Sequence, residues 1–351
     1  MRSSAALFFF AACAPLAAQD VITWVDGTTT ERCRVTDFTT LEVKWTAGSG
    51  SDRKSSDQVA DLRVEKVRDV YRRGFASKEQ MGSDTAENFI GIARQEMAKS
   101  PFIAQFGLWE AAKFLIEAGH EAEGFPILDE LIEKLPDSGF VPRAYAMKLD
   151  YYLATGKAKS AETVAKAYHD AATTKGYPDG YVHEASYYVL LAKAAGGGFR
   201  PNELRRELEV LASRTENSHP LVANRCRLQI AHILRQEGKP DEALALYNRI
   251  CESKAVDQST LAGAMLGIGH VHLARGNEVD KEPYREAMLA FLHVCIDTPN
   301  ASPDIVAEAL FHGAEAALKW GGTDHRLIHG RLRHMLRSDA RYDDTEWAKR
   351  L

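Results

Sequence analysis

The chain has 351 residues, 45% hydrophobic, 26% charged and 9% aromatic, which is enough apolar material for a buried core and rules out a disordered polymer. At roughly 100 to 200 residues per domain, two domains is the starting expectation. Lys and Arg number 44 against 49 Asp and Glu, and the net charge of -5 excludes a chain whose main task is coating nucleic-acid phosphates.

Residues 1–18 read as a secretory signal peptide. Arg2 supplies a positive start, a short apolar stretch contains Phe8, Phe9 and Phe10, and small Ala17 and Ala18 precede the expected cleavage. The stretch is shorter than the roughly 20 residues of a membrane helix, and no later segment reaches that length, so an exported protein without a membrane span is expected, periplasmic or extracellular. An alternative keeps it membrane-anchored, because Phe10-Ala11-Ala12-Cys13 is similar to the lipobox of bacterial lipoproteins, with Cys13 acylated.

Residues 20–67 have the texture of strands. Val21-Ile22-Thr23-Trp24-Val25 ends at Asp26-Gly27, a strong hairpin signal, and a second strand is expected through Thr36-Asp37-Phe38. Leu41-Glu42-Val43-Lys44-Trp45 alternates at period two, residues 48–52 read as a turn, and a last strand is expected over residues 59–67 with Leu62, Val64 and Val67. So many short strands suggest closure into a small all-β barrel, which removes exposed edges. This run resembles the Sm-like or SH3-like small barrel. The resemblance implies a fold and no RNA-binding activity, because the loop that grips a base in Sm proteins reads Thr39-Thr40 here.

Residues 68–100 are expected to form a linker and first helices, and the basic residues of the 63–73 stretch, Arg63, Lys66, Arg68, Arg72 and Arg73, are expected to make a solvated face. Past Ser77 the hydrophobic period lengthens to that of helices, and Pro and Gly retreat to segment boundaries. A pattern then recurs. Arg227-x-x-Ile230-Ala231-x-x-Leu234 is followed by Gly238-Lys239-Pro240-Asp241-Glu242-Ala243-Leu244 and by Tyr247. Leu108-x-x-Ala111-Ala112-x-x-Leu115 with Gly119 and Gly124, Tyr145-x-x-Lys148-Leu149-x-x-Tyr152 with Gly156, and Met265-x-x-Ile268-Gly269-x-x-His272 with Gly276 keep the same spacing. Residues 181–215 depart from it, and residues 304–336 form a last hairpin around Gly321-Gly322.

These segments resemble the tetratricopeptide repeat, in which small residues such as Ala231 and Ala243 sit where two antiparallel helices approach most closely. The resemblance implies a mainly α protein, with residues 101–351 as a right-handed α-solenoid of helical hairpins after the small barrel. It further implies a protein or peptide ligand held on the concave face, where Trp109, Lys113, Asp150, Leu228, His232, Arg235, Leu266 and His270 are the groove candidates. The expected function is a non-enzymatic binding scaffold. A structural subunit of a cell-envelope assembly is the alternative, and an enzyme would need perturbed titratable groups in a closed pocket.

No catalytic residue, cofactor or metal site is expected. No C-x-x-C pair occurs, and His325-x-x-x-His329 lacks the Glu of a zinc-protease helix because Arg326 stands there. His270 and His272 point in different directions on a helix. Cys226 and Cys251 fall at corresponding ends of two antiparallel helices, so a disulfide between them is one possibility and two free core thiols the other.

Overall fold

The computed structural model describes residues 19–79, 84–298, 301–343 and 345–351. The expected signal peptide, residues 1–18 with Cys13, lies outside the described residues. Among those described, the protein is mainly helical, with a small antiparallel sheet at its start, and no helix is long and apolar enough to cross a membrane.

The sheet comprises β1 (Asp20–Trp24), β2 (Thr29–Phe38), β3 (Glu42–Ala47), β4 (Gly50–Ser55) and β5 (Val59–Arg63) in the order β4-β3-β2-β1-β5. Period-two burial, broken once in β2 by a register shift between Val35 and Asp37, buries Ile22 and Trp24 of β1, Cys33, Val35 and Phe38 of β2 and Val43 and Trp45 of β3. The β1–β2 turn uses Gly27 at φ 80°, a conformation that an L side chain resists. Of residues 48–52, expected as a turn, Gly48 and Ser49 are one, while residues 50–52 already start β4: its sequence has no apolar residue, but it pairs with β3 along its whole length.

The expected barrel does not close. β4 and β5 are opposite edges and do not pair with each other. The edges are protected differently: β4 carries Asp52, Arg53 and Lys54 toward solvent, while the Val59 carbonyl of β5 accepts a hydrogen bond from Arg143 at 2.9 Å. The expected strand to Val67 also ends early. β5 stops at Arg63 and α1 (Glu65–Val70) begins, because buried Asp20 accepts the Glu65 N–H at 2.8 Å through one carboxylate oxygen and the Val35 N–H at 2.7 Å through the other. A residue at the start of β1 thus sets where the sheet gives way to helix.

Helices follow: α2 (Arg72–Glu79), α3 (Thr85–Glu96), α4 (Pro101–Glu117), α5 (Glu121–Lys134), α6 (Val141–Ala154), α7 (Ala158–Thr174), α8 (Asp179–Ala195), α9 (Pro201–Thr215), α10 (Pro220–Gln236), α11 (Pro240–Cys251), α12 (Gln258–Arg275), α13 (Glu282–Asp297), α14 (Pro303–Trp320), α15 (His325–Ser338) and α16 (Glu346–Lys349). Proline at the first helical position opens α4, α9, α10, α11 and α14, where its missing N–H costs nothing. Each helix from α6 to α15 packs on the next in sequence, and α6, α8, α10, α12 and α14 also lie side by side.

Small residues permit that packing. Ala231 and Ala243 are fully buried. A Cβ on Gly267 would lie 2.3 Å from the Tyr247 ring of α11, and one on Gly269 would lie 2.5 Å from the Phe291 ring of α13. Tyr71, Phe75 and Phe89 continue the sheet's core into the helices, and the basic side of residues 63–73 is exposed.

The sheet docks on the starts of the even-numbered helices. Thr40 N–H donates to the Asp137 carbonyl at 2.8 Å, Phe38 meets Phe140 edge to face at 5.2 Å, and Tyr181 donates to the Ser56 carbonyl at 2.9 Å.

Candidate functional site

Ionisable side chains concentrate on the row formed by α6, α8, α10, α12 and α14. Helical spacing gathers them. Glu184 and Tyr188 are one turn apart on α8, Arg225 and His232 are two turns apart on α10, and Glu308, His312 and Glu315 share a face of α14.

The first cluster centres on Arg225. Its Nη1 donates to Glu184 Oε1, and its Nε donates to Asp257 Oδ2 at 2.9 Å. Tyr168 donates to the other Glu184 oxygen at 2.7 Å, and Tyr188 donates to Asp150 Oδ1 at 2.8 Å. Asp257 doubles as the N-cap of α12, accepting the Thr260 N–H at 2.8 Å. One guanidinium therefore faces three carboxyl groups.

Their titration follows from that imbalance. Crowding by protein atoms pushes Asp150 up to about 6, helped by Glu184 and Asp257 and opposed by Arg225 and the Tyr188 hydroxyl. Asp150 is itself exposed, so the crowding is that of a walled surface and not of a sealed interior. Burial also works against ionised Asp257, but Arg225 and the two Thr260 donors outweigh it and hold the carboxyl below its usual range. Burial opposes the charge of Arg225 too, and the surrounding carboxylates overrule it.

The second cluster joins α12 to α14. His270 Nε2 lies 2.8 Å from Glu308 Oε1, and His312 Nδ1 lies 2.9 Å from Glu315 Oε2. The two imidazole rings are 4.9 Å apart, and Trp347 of α16 stands 4.9 Å from His312. His232 of α10 is close enough to feel the charges of His270 and Glu308. Burial, then Arg235 and His270, push its imidazole down to about 4, so it is neutral at physiological pH.

The groove candidates therefore separate. His232, Arg235 and His270 come together, and Asp150 belongs to the Arg225 cluster. Trp109 stacks on Phe140 at 5.4 Å beside the sheet, while Lys113 pairs with Glu117 at 3.7 Å. Leu228 is only 9% exposed and packs against Gly263 of α12, and Leu266 leans on the core of the last helices. Sequence reasoning passed over Glu184, Arg225, Asp257, Glu308 and His312. For the last two a signal existed, since Glu308-x-x-x-His312-x-x-Glu315 marks one helix face.

Other constellations resolve into packing. His325 Nδ1 contacts the Gly322 carbonyl at 2.7 Å, and His329 is held below its usual range by burial and Arg333. Cys226 and Cys251 are separate thiols; burial pushes Cys226 up to about 12 and raises Cys251, which keeps both protonated and unreactive. An open cleft of about 480 Å³ between the sheet and α8 is lined by Ser55, Asp57 and His219, the residue types of a hydrolytic triad. Their order is wrong for one. Asp57 stands between the others, accepting from Ser55 at 2.7 Å and lying 3.7 Å from His219, so the hydroxyl's hydrogen bond goes to the carboxylate and not to an imidazole base.

The chain matches no family model, and no curated protein matches it.

Proposed function

We propose that this is an exported, non-enzymatic scaffold that binds a protein or peptide segment along a tetratricopeptide-like array of helical hairpins, the small N-terminal sheet bracing one end. The observation that carries the reading is the side-by-side row of α6, α8, α10, α12 and α14, with His232, Arg235 and His270 gathered on it. Such a row offers an extended chain aromatic surfaces and hydrogen-bonding groups at a regular interval. The tight meetings of Gly267 with Tyr247 and Gly269 with Phe291 support the likeness to the repeat family, where small residues occupy the closest approach of helices.

The experiment is affinity capture from the source organism's envelope fraction with the intact protein and with Trp109, His232 and Arg235 changed to Ala. Partner recovery should fall for the His232 and Arg235 variants. Recovery equal to wild type in both would reject the binding face.

A structural subunit of an envelope assembly is a second reading, favoured by Leu318, Leu327 and Met335 standing exposed on α14 and α15. Light scattering on the purified protein separates the two, since a lone adaptor is monomeric and an assembly subunit self-associates.

A further inference from the structure

The donor atoms of His270, Glu308 and His312 lie within 4.8 Å of one another. We propose that these three side chains form a binding site for one divalent transition-metal ion of the zinc class. Two imidazoles and a carboxylate, with a position left for water, are the donor set of open zinc sites. An ion about 2.0–2.2 Å from each donor needs the donors roughly 3.4 Å apart, so the side chains must close by about an ångström and a half at most. All three are half-buried, and His270 and Glu308 already meet at 2.8 Å.

The surroundings suit an ion. Glu315 engages His312 Nδ1 at 2.9 Å, which orients the ring and leaves the lone pair on Nε2, the usual role of a carboxylate behind a metal-bound histidine. Glu308 and Glu315 bring two negative charges beside two imidazoles, and a divalent cation balances them. Phe291, 5.4 Å from the His270 ring, and Trp347, 4.9 Å from His312, wall the cluster with apolar surface that strengthens ion–ligand attraction. The site links α12 to α14, so a bound ion would fasten the last hairpins together. It does not depend on the peptide-binding reading, and partner capture in the presence and absence of metal would leave the two separately testable.

The test titrates the metal-free full chain, its affinity tag removed, with Zn²⁺ and Co²⁺ by calorimetry and visible absorption. One equivalent should bind with Kd of about 10 μM or tighter, and Co²⁺ should show the intense d–d bands of four-coordination. Glu308→Gln and His312→Ala should weaken binding by about tenfold or more, and Glu315→Gln by about tenfold to a hundredfold. Simultaneous His325→Ala and His329→Ala should leave it unchanged. If an alanine variant loses its circular dichroism, ¹⁵N imidazole shifts of the wild-type protein decide instead, and Zn²⁺ must move His270 and His312. No binding at about 100 μM metal, equal affinity in Glu308→Gln and His312→Ala, or shifts confined to other histidines would overturn the site.

Discussion

The Tyr188 hydroxyl of α8 donates to Asp150 Oδ1 of α6 at 2.8 Å, and this bond ties two neighbouring even-numbered helices at the point where carboxyl groups outnumber cations. Asp150 is the member that yields, because crowding and the nearby Glu184 and Asp257 favour its neutral form.

Because its folded value is raised to about 6, the stability that neutral Asp150 contributes is fully present below the unfolded value and is lost as pH rises through about 6. Asp150→Asn keeps an oxygen for Tyr188 and removes the titration. The variant should melt higher than wild type at neutral pH, with the gap narrowing as the pH falls toward about 4. A gap constant across that window would refute the assignment; thermal melts at a series of pH values measure it.

Replacing Arg225 acts in the opposite sense. Arg225→Met leaves Glu184 and Asp257 without their cation, and breaking a buried ion pair costs about 3–5 kcal/mol. A quarter of the Arg225 side chain, 24%, remains exposed, so the expected loss is nearer 2 kcal/mol, roughly, after screening. Urea unfolding would read it, and a change within about 0.5 kcal/mol would show that solvent already screens the cluster.

Asp57, held by the Ser55 hydroxyl at 2.7 Å, fastens the sheet to α8 by accepting the Gly180 N–H at 3.0 Å. Asp57→Ala should cost about 1–2 kcal/mol, the range of a lost helix cap. Amide exchange in the first turn of α8 should accelerate while that of β2 and β3 stays slow. Uniform acceleration would mean instead that the sheet and helices open as one unit.

Two glycines should respond oppositely to alanine. Gly267→Ala drives a methyl into the Tyr247 ring and should destabilise by about 1–3 kcal/mol, whereas a Cβ on Gly330 of α15 meets nothing within 4 Å. Gly330→Ala should therefore stabilise by about 0.5–1 kcal/mol through helix propensity. Equal effects at both positions, measured by thermal melting, would contradict the close helix packing at Gly267.

Much of the helical layout was legible because its punctuation is local. Proline at the start of α10 and α11 and glycine at Gly238 mark one hairpin, and the period of Ile230, Ala231 and Leu234 identifies its buried side. The sheet was less legible where local signals were weak or overruled. β4 has no apolar residue to announce it and is recruited by pairing with β3. Val64 and Val67 look like strand residues, yet Asp20 caps the backbone at Glu65 and turns that segment into helix.

What the sequence determined by itself was the class of most segments, since turn chemistry and hydrophobic period act over a few residues. Which side chains meet was decided by tertiary structure. His270 pairs with Glu308 across 38 positions, and Arg225 bridges Glu184 and Asp257, 41 positions before it and 32 after it. The open sheet was decided in the same way, because Arg143 of α6 satisfies the Val59 carbonyl of edge strand β5 while the charged side chains of β4 face solvent, so neither edge has to close upon the other.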